Sequence, residues 1–425
     1  MGPVMGTGSK KQGSRMMAVS RWVRRIVRTG VASVLVGACA VGAGVARADD
    51  VITTQPYVDV YGLDATHKKG LDGEGVTIAL ISTKVDTSVP ELKGADITEV
   101  QTLDQECGLD PLERNRTQGT AIASLLVSKG YGWAPKAKML SYPVELSKDN
   151  QENLECKPNS IVSALSDAVS RGVDVISMHI ESHPFEVNAV SVMRAAEAGI
   201  PVVWTATDRE FVSGEGGAEA MLTNGVVAVG GHDENGQIPE WSPTSPGLTM
   251  VALGVGITGR FPDESGAMTV VRPGGGNSTV STAMVSGALA LGVQKWPQAN
   301  GNQLVRALLK TAAPCTSDGT WSDQCGYGAL NPGQFFTSDP LNEETTNPLM
   351  EKNPQQVGAD RQYLADYKDG LLIADKINED IHYTYRGVNL EARDVVGVAS
   401  QMGSSPRYMK RIEEAEQAAG LTAGK

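Results

Sequence analysis

Between residues 76 and 311, short runs that are apolar at nearly every position alternate with stretches apolar on a helical spacing. The runs 76–81, 137–144, 173–180, 202–206 and 226–229 are rich in β-branched residues and lack the polar alternation of a half-exposed strand. Strands buried on both faces read this way. Between them, 118–128, 160–170, 187–198, 282–295 and 302–310 carry helical patterns. Gly172 and Gly199 stand where glycines end helices. Strand and helix in repeated order predict an α/β fold, a doubly wound parallel sheet with helices on both faces.

The chain has 425 residues, 41% of them hydrophobic, enough for one large domain and a smaller appendage. The large domain is expected at 73–332, around the periodic region 76–311, and is preceded by an N-terminal extension, 49–72. Past Pro332 the sequence turns polar, and 333–361, with Pro340, Pro348 and Pro354, reads as a linker. The tail, 362–425, reads as partly helical or disordered. Its clearest helix is 406–419, with Ser405 as N-cap, Pro406 at the first position and Gly420 at the end. No apolar run in the tail is long enough to cross a bilayer.

Residues 1–48 hold eight basic side chains and no acid, then an apolar run at 30–45 and the small-x-small triplet Ala46, Arg47, Ala48. This pattern predicts a secretory signal peptide cleaved near Ala48. An uncleaved anchor and a lipoprotein modified at Cys39 are the two alternatives. Loss of the eight charges takes the net charge from −12 to −20. A chain that acidic is not expected to bind nucleic acid or an anionic membrane by charge.

Cys39 leaves with the signal, and Cys107, Cys156, Cys315 and Cys325 remain. An even set fits an oxidising compartment, and local pairing of 107 with 156 and of 315 with 325 is the simplest of three connectivities. A metal site is the rival, but no Cys-x-x-Cys and no His cluster supports it. Neither a metal nor a cofactor is expected.

The most informative stretch is Gly276, Asn277, Ser278, Thr279, Val280, Ser281, Thr282, running on through Val285, Ser286, Gly287 and Ala288. Small residues turn straight into an apolar helix, which presents a hydroxyl among free backbone N–H groups. The stretch resembles the serine motif of the subtilisin-like serine peptidases (subtilases, peptidase S8), with Thr279 at the nucleophile's place. The resemblance covers roughly 60–332 and implies the three-layer subtilisin-like fold. Gly132, Trp133, Ala134 and Pro135, the triplet Trp241, Ser242, Pro243, and Gly326 to Pro332 match further landmarks of that family.

At each catalytic position of the resemblance stands a different residue. Ser82 holds the acid's place at the end of the first strand, and Lys84 that of a glycine. Gln118 stands for the base, and an amide has no usable pKa for proton transfer. Asp208 replaces the oxyanion Asn, and a carboxylate there repels a developing negative charge. His179, Ile180 and Glu181 replace the strand edge that pairs with substrate backbone. His179 reads as a surface or core histidine rather than a displaced base. Ser82, Gln118 and Thr279 are expected to form a hydrogen-bonded cluster filling a former cleft, and a Lys84-activated hydroxyl is the catalytic rival.

These readings predict an exported pseudopeptidase that acts as a binding or scaffold protein at the cell envelope, with a protein or peptide partner. The short stretch between Ala48 and the first strand leaves no room for a folded pro-segment, which agrees. Within the family the chain looks most like the mycosins of actinobacterial type VII secretion, without their transmembrane anchor. The alternatives are an active serine-type endopeptidase with an atypical site, and a binding module whose closed cleft holds a peptide or glycan.

Overall fold

The computed structural model describes residues 51–102, 117–144, 161–180, 189–206, 221, 223–262, 268–272, 276–350, 352, 384–385 and 388–389. The expected signal peptide, Cys107, Cys156, Glu181, Asp208 and the expected helix at 406–419 lie outside the described residues.

Among the described residues, seven strands form one sheet: β1 (Thr77–Ser82), β2 (Asp96–Glu99), β3 (Lys138–Pro143), β4 (Val175–Met178), β5 (Val202–Thr205), β6 (Val226–His232) and β7 (Met250–Leu253). Their order is β2-β3-β1-β4-β5-β6-β7, and every pairing is parallel. The predicted α/β architecture is therefore observed. A short antiparallel pair, β8 (Gly259–Pro262) and β9 (Met268–Val271), stands apart from the sheet.

Side chains alternate across each strand, so both faces are apolar. Ile78, Leu80, Val203 and Val227 enter one core; Ala79, Ile81, Val202 and Val226 enter the other. The N-terminal segment adds α1 (Pro56–Val60) and α2 (Leu63–Lys68). Then α3 (Thr117–Val127) covers the first face, with Ile122 and Leu126 in its core. On the second face lie α4 (Ile161–Ser170) and α5 (Ala189–Glu197), through Leu165, Ala168, Val192 and Ala195. The long α6 (Ser278–Lys295) joins the first core, followed by α7 (Gly301–Lys310) and α8 (Pro332–Phe335).

Helix α6 is buried nearly throughout and comes close to Trp133. A methyl at Gly287 would lie 2.3 Å from the Trp133 side chain, so only glycine fits there. Trp133 is fully buried, stacks on Tyr57 at 6.2 Å and donates its indole N–H to the Met284 sulfur. Burial of one such aromatic side chain contributes about 2–3 kcal/mol.

Residues 51–72, expected as an extension, are held to the domain at several points. The Gln55 amide brackets Thr258, the Tyr57 hydroxyl donates to Tyr131 O, and Tyr61 accepts the Leu253 N–H. Glu91 and Arg260 form a buried two-bond ion pair at 2.6 and 3.0 Å, and the same carboxylate accepts Ile52 N–H. Burial favours the neutral acid, but the bonds from Arg260 and Ile52 together hold the Glu91 pKa below its usual value.

The described part of the stretch read as a polar linker lies against the domain. Phe335, Leu349 and Met350 are buried, Gln303 donates to the Leu341 and Glu343 carbonyls, and Asn347 donates to Gly225 O. Apolar anchors at only two places, Phe335 and the adjacent Leu349 and Met350, in a polar, proline-containing sequence give no periodicity to read. Cys315 and Cys325 are joined as a disulfide, as local pairing predicts. No helix among the described residues is long and apolar enough to cross a membrane.

Candidate functional site

The sheet order reverses at β1: the chain leaves it toward β3 and β2 on one side, then returns to place β4 on the other. In open parallel sheets, crevices form outside the carboxyl ends of the strands at such a switch point. Ser82 is the last residue of β1, and His179 follows β4 directly. Above them, the first turns of α3 and α6 supply Gln118 and Thr279. The topology alone brings these four positions to one end of the sheet.

Close backbone contacts fix the helix starts. A Cβ on Gly119 would lie 2.1 Å from the Thr83 carbonyl oxygen, so α3 presses directly on the turn after β1. Gly119 N–H donates to the Thr83 hydroxyl at 2.8 Å, and Asp86 N–H donates to the Thr120 hydroxyl at 2.9 Å. Helix α6 begins at Ser278, four residues before the predicted start. Asn277 is its N-cap, accepting Val280 N–H at 3.0 Å, so Thr279 belongs to the helix rather than to a preceding turn.

Gln118 and Thr279 meet. The Gln118 amide nitrogen donates to the Thr279 hydroxyl oxygen at 3.3 Å and to the His179 carbonyl oxygen at 3.1 Å. Ser82 does not join them. It is fully buried, and its hydroxyl has no hydrogen-bond partner among the described residues. The expected three-membered cluster is thus a pair plus an orphan, because a serine side chain is shorter than the carboxylate the resemblance implies. An orphaned buried hydroxyl costs about 1–3 kcal/mol.

His179 is a core residue, not a surface one. Its Nε2 lies 2.7 Å from the Ser177 hydroxyl, which lies 2.7 Å from the Ser286 hydroxyl of α6. This buried chain ties β4 to α6 beneath Thr279, and the burial of His179 fits its place between Met178 and Ile180 at the end of the apolar run 173–180. Complete burial pushes the imidazole pKa down to about 3, against a smaller opposing effect of the Thr279 backbone. Near neutral pH the ring is uncharged, and it holds a proton too weakly to serve as a general base.

The carbonyls at the end of β4 are also engaged. His179 O accepts from Gln118, and Ile180 O accepts the Trp204 indole N–H at 3.0 Å. Lys84 is turned away, toward Glu99 at 3.7 Å. His67 and His232 bond to the Trp133 and Asp233 carbonyls, and His183 and His382 lie outside the described residues. Among the described residues, no group of three or more His, Cys, Asp or Glu is placed to hold a metal ion. Chemically the arrangement offers a hydroxyl at a helix N-terminus, bonded to an amide donor that has no capacity to take its proton.

Comparison with known proteins agrees with this architecture. The model of the Subtilase family matches residues 73–328. Subtilisin BL of Lederbergia lenta is 27% identical over 281 residues, 63% of this chain and 93% of that protein. The major intracellular serine protease of Bacillus subtilis (strain 168) is 27% identical over 236 residues, 52% of this chain and 70% of that protein. Among solved structures, fervidolysin from Fervidobacterium pennivorans, a keratinolytic enzyme related to subtilisin, aligns with a TM-score of 0.54. Its identity is 19%, over 66% of this chain and 45% of that one. The serine protease MycP1, an essential component of the type VII (ESX-1) secretion system, aligns with a TM-score of 0.51. Its identity is 20%, over 68% of this chain and 90% of that one.

Proposed function

This chain belongs to the subtilase family, and from that premise we propose that it is an exported pseudopeptidase that binds a protein or peptide partner without cleaving it. One observation carries the reading: the side chain bonded to the Thr279 hydroxyl is the Gln118 amide, at 3.3 Å. Nucleophilic hydrolysis needs a base at that point to take the hydroxyl proton. An amide cannot do so, and the buried His179, with its pKa near 3, does not replace it.

Three further features support the reading. Ser82 brings no charge to offset an imidazolium, and the family resemblance implies that Asp208 stands where an oxyanion donor belongs. The His179 and Ile180 carbonyls already accept internal hydrogen bonds. In subtilisin itself, removal of the Ser or His alone costs about 10⁶ in turnover.

The likeness of fold to MycP1 and the basic, then apolar, leader at 1–48 make an envelope or secretion complex the first place to seek the partner. The test is hydrolysis of unstructured peptide substrates by the wild-type chain and by Thr279→Ala. The proposal expects the same background in both. Hydrolysis that Thr279→Ala abolishes would overturn it in favour of an active endopeptidase.

A further inference from the structure

Beside the Gln118–Thr279 pair, at the carboxyl ends of β1, β2 and β3, lies an open cleft of about 540 Å³. It is separate from that pair but tied to it, since the Asp86 N–H on its wall donates to Thr120, two residues after Gln118. Its size falls in the range of small-ligand and side-chain pockets, roughly 300–1,000 Å³.

The lining is rich in acceptors. Asp86, Glu99, Thr87, Ser88 and Ser141 line it together with Val85 and Ile97, and Lys84 is the single cation in the wall among the described residues. Asp86 accepts the Ser88 N–H and hydroxyl through one oxygen. Glu99 accepts from Gln101 through one oxygen and faces Lys84 through the other, at 3.7 Å. That ion pair is long and about one-third exposed on both sides, so it is weak and exchangeable. Each carboxylate keeps lone pairs for a further donor.

We propose that this cleft takes a basic side chain, preferably arginine, from a peptide segment of the binding partner, displacing Lys84 from Glu99. The inference rests on the reading of this chain as a peptide-binding protein and names the chemistry of what it binds. A guanidinium brings five N–H donors in a planar fork, which matches a wall that is net negative and acceptor-rich. The net charge of −12 steers cationic segments toward the molecule. Lys84 stands where the family resemblance has a glycine, so the cation in this wall is a feature of this chain.

The test uses fluorescein-labelled, acetylated pentapeptides with a central arginine, citrulline or glutamate in an alanine background, read by fluorescence anisotropy on the full chain. Citrulline keeps the shape of arginine and removes its charge. The arginine peptide is expected to bind about tenfold more tightly than citrulline and to be weakened by salt. Glu99→Gln is expected to remove about that same tenfold preference. Lys84→Met removes the competing cation and is expected to strengthen arginine binding. Equal affinity for arginine and citrulline, preference for glutamate, no binding of any peptide, or no effect of Glu99→Gln in a folded variant would overturn the inference. Mass spectrometry of the same mixtures reports cleavage separately. Cleaved peptide contradicts the non-hydrolytic reading, whereas the arginine-to-citrulline ratio decides the cleft.

Discussion

The Gln118 side chain joins Thr279 to His179: one amide nitrogen donates to the Thr279 hydroxyl at 3.3 Å and to the His179 carbonyl at 3.1 Å. The two bonds cross from α3 to both α6 and the end of β4, so they bridge the elements that meet at the switch point of the sheet. The residue therefore has a packing role where the family resemblance implies a proton-transfer role.

Gln118→Ala removes both bonds and is expected to lower unfolding stability by about 1–2 kcal/mol. Urea denaturation at pH 7 measures this. A loss much smaller than that would mean water replaces the amide at no cost and the bridge is incidental.

His179 makes stability pH-dependent. Its folded pKa, about 3, lies below the unfolded value of about 6.5, so the unfolded chain binds the extra proton between those values. Stability is full above about pH 6.5 and falls as pH drops toward 3, with a slope near 1.4 kcal/mol per pH unit from this group. His179→Asn should flatten the curve between pH 6 and about 4.5. An unchanged slope in that variant would show that other groups set it.

The Glu91–Arg260 pair acts in a lower window. The Glu91 pKa is held below its usual value of 4.5, so its contribution is complete above that value and is lost as pH falls through the folded pKa. Glu91→Ala strands a buried guanidinium and is expected to cost about 3–5 kcal/mol at pH 7. Glu91→Gln, which keeps the shape, should cost less and remove the acid dependence in that window. Chemical denaturation of the three proteins from pH 7 to 3 checks both statements.

The buried strands are legible in the sequence because parallel strands covered on both faces are apolar at every position. Thr77–Ser82 and Val202–Thr205 lie within a residue of their predicted runs. Asp96–Glu99 is not legible: it is the edge strand, and most of its residues are exposed. The apolar pattern places the start of α6 late because its first turn, Ser278 to Ser281, is largely polar, although Asn277 is a readable N-cap. At the site, the Gln118–Thr279 contact follows only from the resemblance, since the two residues are 161 apart. The burial of His179 is in keeping with the apolar run 173–180, but the hydrogen-bond chain that satisfies it has no local signature, because its Ser286 end comes from a distant helix.

The central claim is that no group activates the Thr279 hydroxyl. Labelling of the full chain with a fluorophosphonate probe tests this most directly, because the reagent reacts only with an activated hydroxyl. The account predicts that intact-mass and peptide-mapping spectra show no adduct at Thr279, under conditions where an active subtilisin is fully modified. A stoichiometric adduct on Thr279, absent in Gln118→Ala, would contradict it.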